Sequence, residues 1–237
     1  IIDLAGLPKD RFYLYRSHWN KEAETLHILP HWTWPGREGE TTPVFVYTNY
    51  PSAELFVNGV SQGVRTKDVS ITLEGTMNPE SEQALKRQER YRLMWMDVKY
   101  EPGTVKVVAY NEAGEAVAEE QVCTAGKPHH IELSVDRAAI KADGRDLAFV
   151  TVRVVDKDGN LCPNADNLIR YSVKGAGSYR AGANGDPTSL ELFHVPQMHV
   201  FSGMMTAIVQ SNETPGTITL TATAKGLKSA TISVKTL

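Results

Sequence analysis

The stretch Val44-Phe45-Val46-Tyr47-Thr48-Asn49 indicates the fold class of this chain. Its side chains alternate with a period of two, which is the pattern of a strand with one buried face. Leu55 and Val57 continue the alternation, and Asn58-Gly59 follows directly. That dipeptide is typical of a type I′ β-hairpin. The sequence around this stretch therefore predicts short strands that end in a tight turn.

The same period recurs along the rest of the chain. Further strands are predicted at residues 91–96, 105–110, 115–124, 131–135, 148–154, 169–173, 207–209, 218–222 and 230–234. Short strands at this spacing, joined by Gly, Asn and Pro turns, are typical of immunoglobulin-like sandwiches. A Gly/Pro linker at 125–128 separates two such sets. The prediction is an all-β chain with two immunoglobulin-like β-sandwich domains, over residues 27–125 and 126–237. The polar segment 77–90 is predicted to be a long loop, with a helical turn within it as the alternative.

The segment before the first sandwich has a different period. Phe12, Tyr15 and Trp19 are spaced i, i+3 and i+7, which predicts a helix over residues 8–24 with one aromatic face. A lone helix of this kind has little of its own to pack against in an all-β chain. We interpret residues 1–26 as the last element of a domain that precedes the sandwiches, and the aromatic face as the interface to it. Without that domain, the face is expected to self-associate or to fold back on the first sandwich.

Composition restricts the possible partners. The 237 residues are 41% hydrophobic and 22% charged, with a net charge of -3, which is ordinary for a soluble globular protein. The sequence has no basic stripe, so nucleic acid is not an expected partner. No apolar run approaches the roughly 20 residues of a membrane helix, so no membrane insertion is expected. Cys123 and Cys162 fall in different predicted domains, and we expect two free or buried thiols.

No pattern in the sequence matches a catalytic, cofactor or metal site. Gly175, Gly177 and Gly182 lack the spacing of a phosphate-binding loop, and no nucleophile elbow occurs. Glycoside hydrolysis needs two carboxyl groups about 5 to 9.5 Å apart. Glu112 and Glu213 are each predicted to stand alone on a turn. The sequence therefore predicts no catalytic residue, no metal and no cofactor.

Trp32 and Trp34 are the best candidates for a binding site. On a strand they would share one face, and flat apolar rings stack on the C–H faces of sugars. The competing interpretation is that both rings lie between the first sandwich and a preceding domain, and ordinary core packing is a third. A glycan is thus an alternative partner, in a carbohydrate-binding module.

Several runs of residues resemble one known family. The first part of the chain resembles the end of the catalytic barrel, and the domain after it, in bacterial family 2 glycoside hydrolases, with the β-galactosidases of gut Bacteroides the most similar. The runs are DLAGLPKD (3–10), LPHWTWPG (29–36), VYTN (46–49) and ELFVNG (54–59). The second part resembles the next domain of that family, through ADGRDL (142–147), VDKDGN (155–160), NGDP (184–187) and FSG (201–203).

The resemblance covers nearly the whole chain and implies a context. The parent would be a retaining exo-glycosidase that acts on β-galactosides, outside the cytoplasm, in the periplasm, at the cell surface or secreted. In the family both catalytic glutamates lie on barrel strands upstream of this region, so no residue here inherits either role. The resemblance implies a structural accessory region whose partner is the catalytic barrel of the same polypeptide. It also implies that the chain begins inside a longer gene product and that residues 1–26 are the end of its catalytic barrel.

Overall fold

The computed structural model describes residues 1–71 and 82–237, and nearly all the regular structure there is β. The two helices are α1 (Asp10–Trp19) and α2 (Glu82–Glu89). The strands are β1 (Leu26–Leu29), β2 (Val44–Thr48), β3 (Ser52–Val57), β4 (Val60–Thr66), β5 (Leu93–Trp95), β6 (Thr104–Tyr110), β7 (Ala116–Cys123), β8 (His130–Val135), β9 (Ala139–Ile140), β10 (Leu147–Val155), β11 (Leu168–Gly175), β12 (Gly177–Ala183), β13 (Gln197–His199), β14 (Met204–Ser211), β15 (Gly216–Thr223) and β16 (Ala230–Thr236). The predicted all-β sandwich class is confirmed.

The chain divides into two compact units between Thr124 and Ala125. The first unit holds Ile1 and Pro8–Thr124, and the second holds Ile2–Leu7 and Ala125–Leu237. The N-terminal residues are thus shared between the units, whereas the sequence suggested a single segment over 1–26. Among the described residues, no helix is long and apolar enough to cross a membrane. Both cysteines are free thiols.

The first unit is a sandwich of two antiparallel sheets with the strand orders β1-β2-β5 and β4-β3-β6-β7. In the central strands β3 and β6 alternate residues face inward, and every second side chain is buried. The buried apolar residues are Ile28, Trp32, Val44, Val46, Ala53, Leu55, Val57, Leu93, Trp95, Val98, Tyr100, Val105, Val107 and Ala109. Burial of this face provides the main favourable free energy of the unit.

The predicted hairpin turn lies between β3 and β4. Val57 pairs with Val60, so Asn58 and Gly59 form a two-residue loop, and both have positive φ, 49° and 81°. The Asn58 side chain also holds the neighbouring strand, because its Oδ1 accepts a 2.7 Å hydrogen bond from the N–H of Thr104. Gly103 lies so close that an added Cβ would be 1.9 Å from that Oδ1. The turn therefore needs both its own glycine and the one beside it.

The second unit is a larger sandwich. Its sheets have the strand orders β12-β14-β10-β8 and β13-β11-β15-β16-β9. Its pairs are antiparallel except that of β9 with β16. The central β10 and β14 bury Ala148, Val150, Val152, Met205, Ala207 and Val209 between the layers. The core of this unit is therefore made chiefly of aliphatic side chains.

The structure corrects one local prediction and decides two points that the sequence left open. The helix α1 ends at Trp19 rather than near residue 24, because Asn20 Oδ1 accepts hydrogen bonds from the N–H groups of Glu22 and Ala23 and turns the chain. Residues 30–36 form turns and bends, not a strand. The segment 77–90 contains the helix Glu82–Glu89, in line with the alternative of a helical turn, and residues 77–81 lie outside the described residues.

The turn after β10 depends on the buried Asp156. Its carboxylate accepts hydrogen bonds from the backbone N–H groups of Gly126, Asp158 and Asn160, at 2.7 to 2.9 Å. Burial alone raises the pKa of Asp156, but these hydrogen bonds outweigh it and hold the pKa at about 2. The ionised side chain thus ties the start of the unit, at Gly126, to the turn.

We predict that Asp156→Ala lowers the free energy of unfolding of the second unit by about 2 kcal/mol at neutral pH, because three N–H donors lose their acceptor. The folded pKa lies below the ordinary 3.8. The stabilisation is therefore complete above about pH 4 and is lost as the pH falls towards 2. Urea unfolding between pH 7 and pH 2.5 measures it.

Asp158→Ala is the matched control, because its side chain is 64% exposed in the same turn. Equal unfolding free energies for the two variants at pH 7 would contradict the role of Asp156.

Candidate functional site

The inner face of α1 is anchored to the first sandwich, which corrects the expectation that the helix has little to pack against. The helix contacts β1 and β2. The ring of Tyr13 stacks on His27 of β1, with centroids 3.9 Å apart, and His27 Nε2 lies 2.9 Å from Asp10 Oδ1. Ser17, one turn after Tyr13, is buried and donates to the carbonyl of Leu14. These contacts fix one side of the helix.

A second anchor lies at the end of the helix. His18 Nε2 lies 2.9 Å from the carbonyl oxygen of Tyr91, and the two rings meet edge to face. Burial lowers the pKa of His18, the cations Lys67 and Lys21 lower it further, and the hydrogen bond to Tyr91 opposes them. The neutral ring is therefore favoured where the helix meets the turn before β5.

The outer face of α1 carries the three aromatic residues that the spacing singled out. Tyr15 is 37% exposed and Trp19 is 76% exposed, and their ring centroids are 4.6 Å apart. Phe12 lies one turn earlier and is partly buried. These residues line an open groove of about 870 Å³ in the first unit, together with Arg16, residues 20–23 and Ile1. We call Phe12, Tyr15 and Trp19 the aromatic face of α1.

Trp32 and Trp34 do not form the shared platform that a strand would give. Trp32 is 1% exposed, in the core of the first sandwich, and its Nε1–H donates to the carbonyl of Glu101 at 2.9 Å. Trp34 is partly buried, its ring stacks on His31 at 4.0 Å, and the Arg37 guanidinium lies 5.1 Å from its centroid. The Trp32 ring is therefore closed to a sugar, and protein groups already contact the Trp34 ring.

The other predicted positions are simple surface features. Glu112 and Glu213 are exposed in turns. Within residues 1–71 and 82–237, no group of three or more His, Cys, Asp or Glu is placed to hold a metal ion. One carboxyl that the sequence did not single out is Glu120 of β7. Burial raises its pKa, and His27 nearby lowers it. Sequence spacing gave no signal for this pairing, because Glu120 and His27 are distant along the chain.

Two domain families match the two units. Residues 131–233 match the family described as glycoside hydrolase family 2 C-terminal domain 5. Residues 39–118 match a domain of unknown function, DUF4982. The chain carries a C-terminal domain of glycoside hydrolase family 2. The resemblance indicated by the sequence is confirmed at this level.

Individual relatives extend the match to nearly the whole chain. A β-galactosidase of Bacteroides ovatus is 43% identical over 99% of this chain. A β-glucuronidase of Formosa agariphila is 27% identical over all of it. The crystal structure of a β-glycosidase from Bacteroides vulgatus superposes with a TM-score of 0.84 and 31% identity, over 99% of this chain and 27% of that one. The chain spans 25% of the length of the B. ovatus relative and 22% of the F. agariphila one.

The anchoring of α1 gives a direct test. We predict that Tyr13→Ala accelerates hydrogen exchange of the α1 amides about tenfold or more, because the stacked and partly buried ring contributes over 1 kcal/mol. Tyr15→Ala, in the same helix but on the outer face, should leave exchange nearly unchanged in the 237-residue chain. Equal acceleration by both substitutions would show that the His27 stack does not hold the helix.

Proposed function

We propose that the chain is a non-catalytic accessory region of a family 2 glycoside hydrolase, docked by the aromatic face of α1 on the catalytic barrel of the same polypeptide. The observation that carries the proposal is the combination of a firmly held helix with an outer face of exposed rings. Trp19 keeps 76% of its surface in water although its helix is fixed by Tyr13 and His18. A fixed apolar groove of this kind is typical of an interface.

The energy available is sufficient for a lasting contact. An aromatic side chain buries about 150 to 250 Å² when it is fully covered. Tyr15 is 37% exposed and Trp19 76% exposed, so only that part of each ring is left to cover. At about 25 cal/mol per Å², covering it contributes roughly 4 kcal/mol or more before ordering costs. The helix is already ordered by its inner face, so little further entropy is lost when the outer face is covered. Tethering to the barrel lowers the cost again, because the encounter is intramolecular.

The parent activity that we propose is the hydrolysis of terminal β-galactosides. The B. ovatus β-galactosidase, at 43% identity, supports it over the β-glucuronidases, at 33% or lower for alignments covering most of this chain. We also propose export to the periplasm, to the cell surface or out of the cell, as the resemblance to Bacteroides β-galactosidases implies. The test is hydrolysis of aryl β-galactoside and aryl β-glucuronide by the full polypeptide. Preference for the glucuronide would overturn the galactosidase assignment, and turnover by the 237-residue chain alone would overturn the non-catalytic role.

For the docking itself we predict that Tyr15→Ser with Trp19→Ser lowers the thermal midpoint of the full polypeptide by several degrees, since about 4 kcal/mol of burial is lost. In the 237-residue chain alone, the same pair should leave the midpoint unchanged and reduce self-association measured by sedimentation.

Val60→Ser is the matched control, because Val60 is 65% exposed on β4 of the same unit. If Tyr15→Ser with Trp19→Ser is as harmless as this control in the full polypeptide, the aromatic face is not an interface to the barrel.

A further inference from the structure

A loop of the second unit holds three large apolar side chains in water. It connects β12 to β13 over residues 184–196, and we call it the leucine loop. Leu190 is 94% exposed, Leu192 is 61% exposed and Phe193 is 56% exposed. Single exposed apolar residues are ordinary, but three within four positions form a local patch. The loop begins with the run Asn184-Gly185-Asp186-Pro187. These residues belong neither to the hydrophobic core nor to the aromatic face of α1.

The first half of the leucine loop is fixed by its own polar side chains. Asn184 is buried, and its Nδ2 donates to the carbonyl of His199 at 2.9 Å. Asp186 Oδ1 accepts from the N–H and the hydroxyl of Thr188, at 2.8 and 2.7 Å. These bonds form a short turn that determines where Leu190 leaves the unit.

The second half is fixed by Glu191 and by the strand β12. The Glu191 carboxylate accepts from the backbone N–H of His199 at 3.1 Å and lies 2.9 Å from its ring Nδ1. The carbonyl of Phe193 accepts from the N–H of Gly182 at 2.8 Å. Glu191 therefore faces inward while its neighbours Leu190 and Leu192 face outward. A loop held in this way presents its apolar side chains with little conformational freedom left to lose on binding.

The N-terminal residues of the chain lie against this loop. Asp3 Oδ1 accepts from the N–H groups of Ala5 and Leu7, at 2.9 and 2.8 Å, and closes a turn over Ile2–Leu7. That turn contacts Gly185, where an added Cβ would be 2.2 Å from Asp3 Oδ2. The turn adds two further exposed apolar side chains, Ile2 at 48% and Leu4 at 65%. The Ile2–Leu7 turn therefore lies beside the start of the leucine loop, within the second unit.

We propose that the leucine loop is a second docking surface for the catalytic domain of the same polypeptide. The inference rests on the proposed function and adds to it a contact made by the second unit. Two observations select this occupant over a second copy of the chain. Residues near the N-terminal end of the sequence contact the loop, through the Ile2–Leu7 turn. Relatives that align over 99% of this chain have most of their length outside it, and a tethered domain has an effective concentration in the millimolar range.

Hydroxyl-radical footprinting of the full polypeptide and of the 237-residue chain tests the proposal, because it reports the exposure of single side chains. We expect oxidation of Leu190, Leu192 and Phe193 to slow about tenfold in the full polypeptide, as for a contact closed nine-tenths of the time. Leu237, which is 76% exposed in the same unit, is the internal reference. Trp19 reports the aromatic face in the same sample.

The outcomes separate the two proposals. Protection of the leucine loop supports this inference whether or not Trp19 is protected. Protection of Trp19 with the loop still oxidised as in the 237-residue chain overturns this inference and leaves the proposed function standing. Protection of neither overturns both. In the 237-residue chain, protection of the loop could instead grow with protein concentration. If it does, and if protection is no greater in the full polypeptide, the occupant is a second copy and the proposal of a tethered domain is overturned.

A pair of variants checks the energetic consequence. Leu190→Ser with Phe193→Ser should lower the inactivation midpoint of the full polypeptide, whereas Leu237→Ser should not. In the 237-residue chain, the double variant and Leu237→Ser should both leave the midpoint unchanged, since the substituted side chains are exposed there. A loss of stability of the 237-residue chain equal to that of the full polypeptide would overturn the proposal, because the loop would then stabilise its own unit only.

Discussion

The burial of one face of each sheet against another sheet is the constraint on which the rest of this structure depends. In the first unit Val44, Val46 and Val107 are wholly buried, and in the second Val150, Val152 and Ala207 are. Because successive strand residues point to opposite faces, this burial leaves the other face and the loops to meet solvent or partners. Each sandwich is therefore a rigid support, and the features that can serve a function lie on its outside.

The two candidate interfaces share one physical arrangement: polar contacts hold them and apolar groups project from them. Tyr13, His27 and Asp10 fix α1 while Trp19 stays exposed. Asn184 and Glu191 fix the leucine loop while Leu190 stays exposed. Exposed apolar groups on a mobile segment would lose much of their burial energy to ordering. The same groups on a fixed segment retain that burial energy, as is expected of a surface that binds a partner.

The sequence predicted the fold where the physical signal is local. Alternation gave the strands, and Asn58-Gly59 gave the hairpin, because both depend on neighbouring residues. It did not place Trp32, since the Tyr100 ring that meets it edge to face at 5.2 Å is distant in sequence. It did not predict the end of α1, because the Asn20 side chain competes with the helix for backbone N–H groups. It did not predict the stacking of Tyr13 on His27, because the two residues lie on different elements.

Relatives that are named for two different activities bear on the non-catalytic role that we propose for this region. Proteins named β-galactosidase and β-glucuronidase both align along the whole chain. A glucuronide carries a carboxylate that a galactoside lacks, so a pocket that selects one needs different charged groups from a pocket that selects the other. Contact with a barrel through Trp19 or Leu190 does not require different charged groups, because the free energy of apolar burial does not depend on the substrate bound elsewhere. A region that contacts the barrel and not the sugar is therefore compatible with either specificity, which supports an accessory role over a catalytic one.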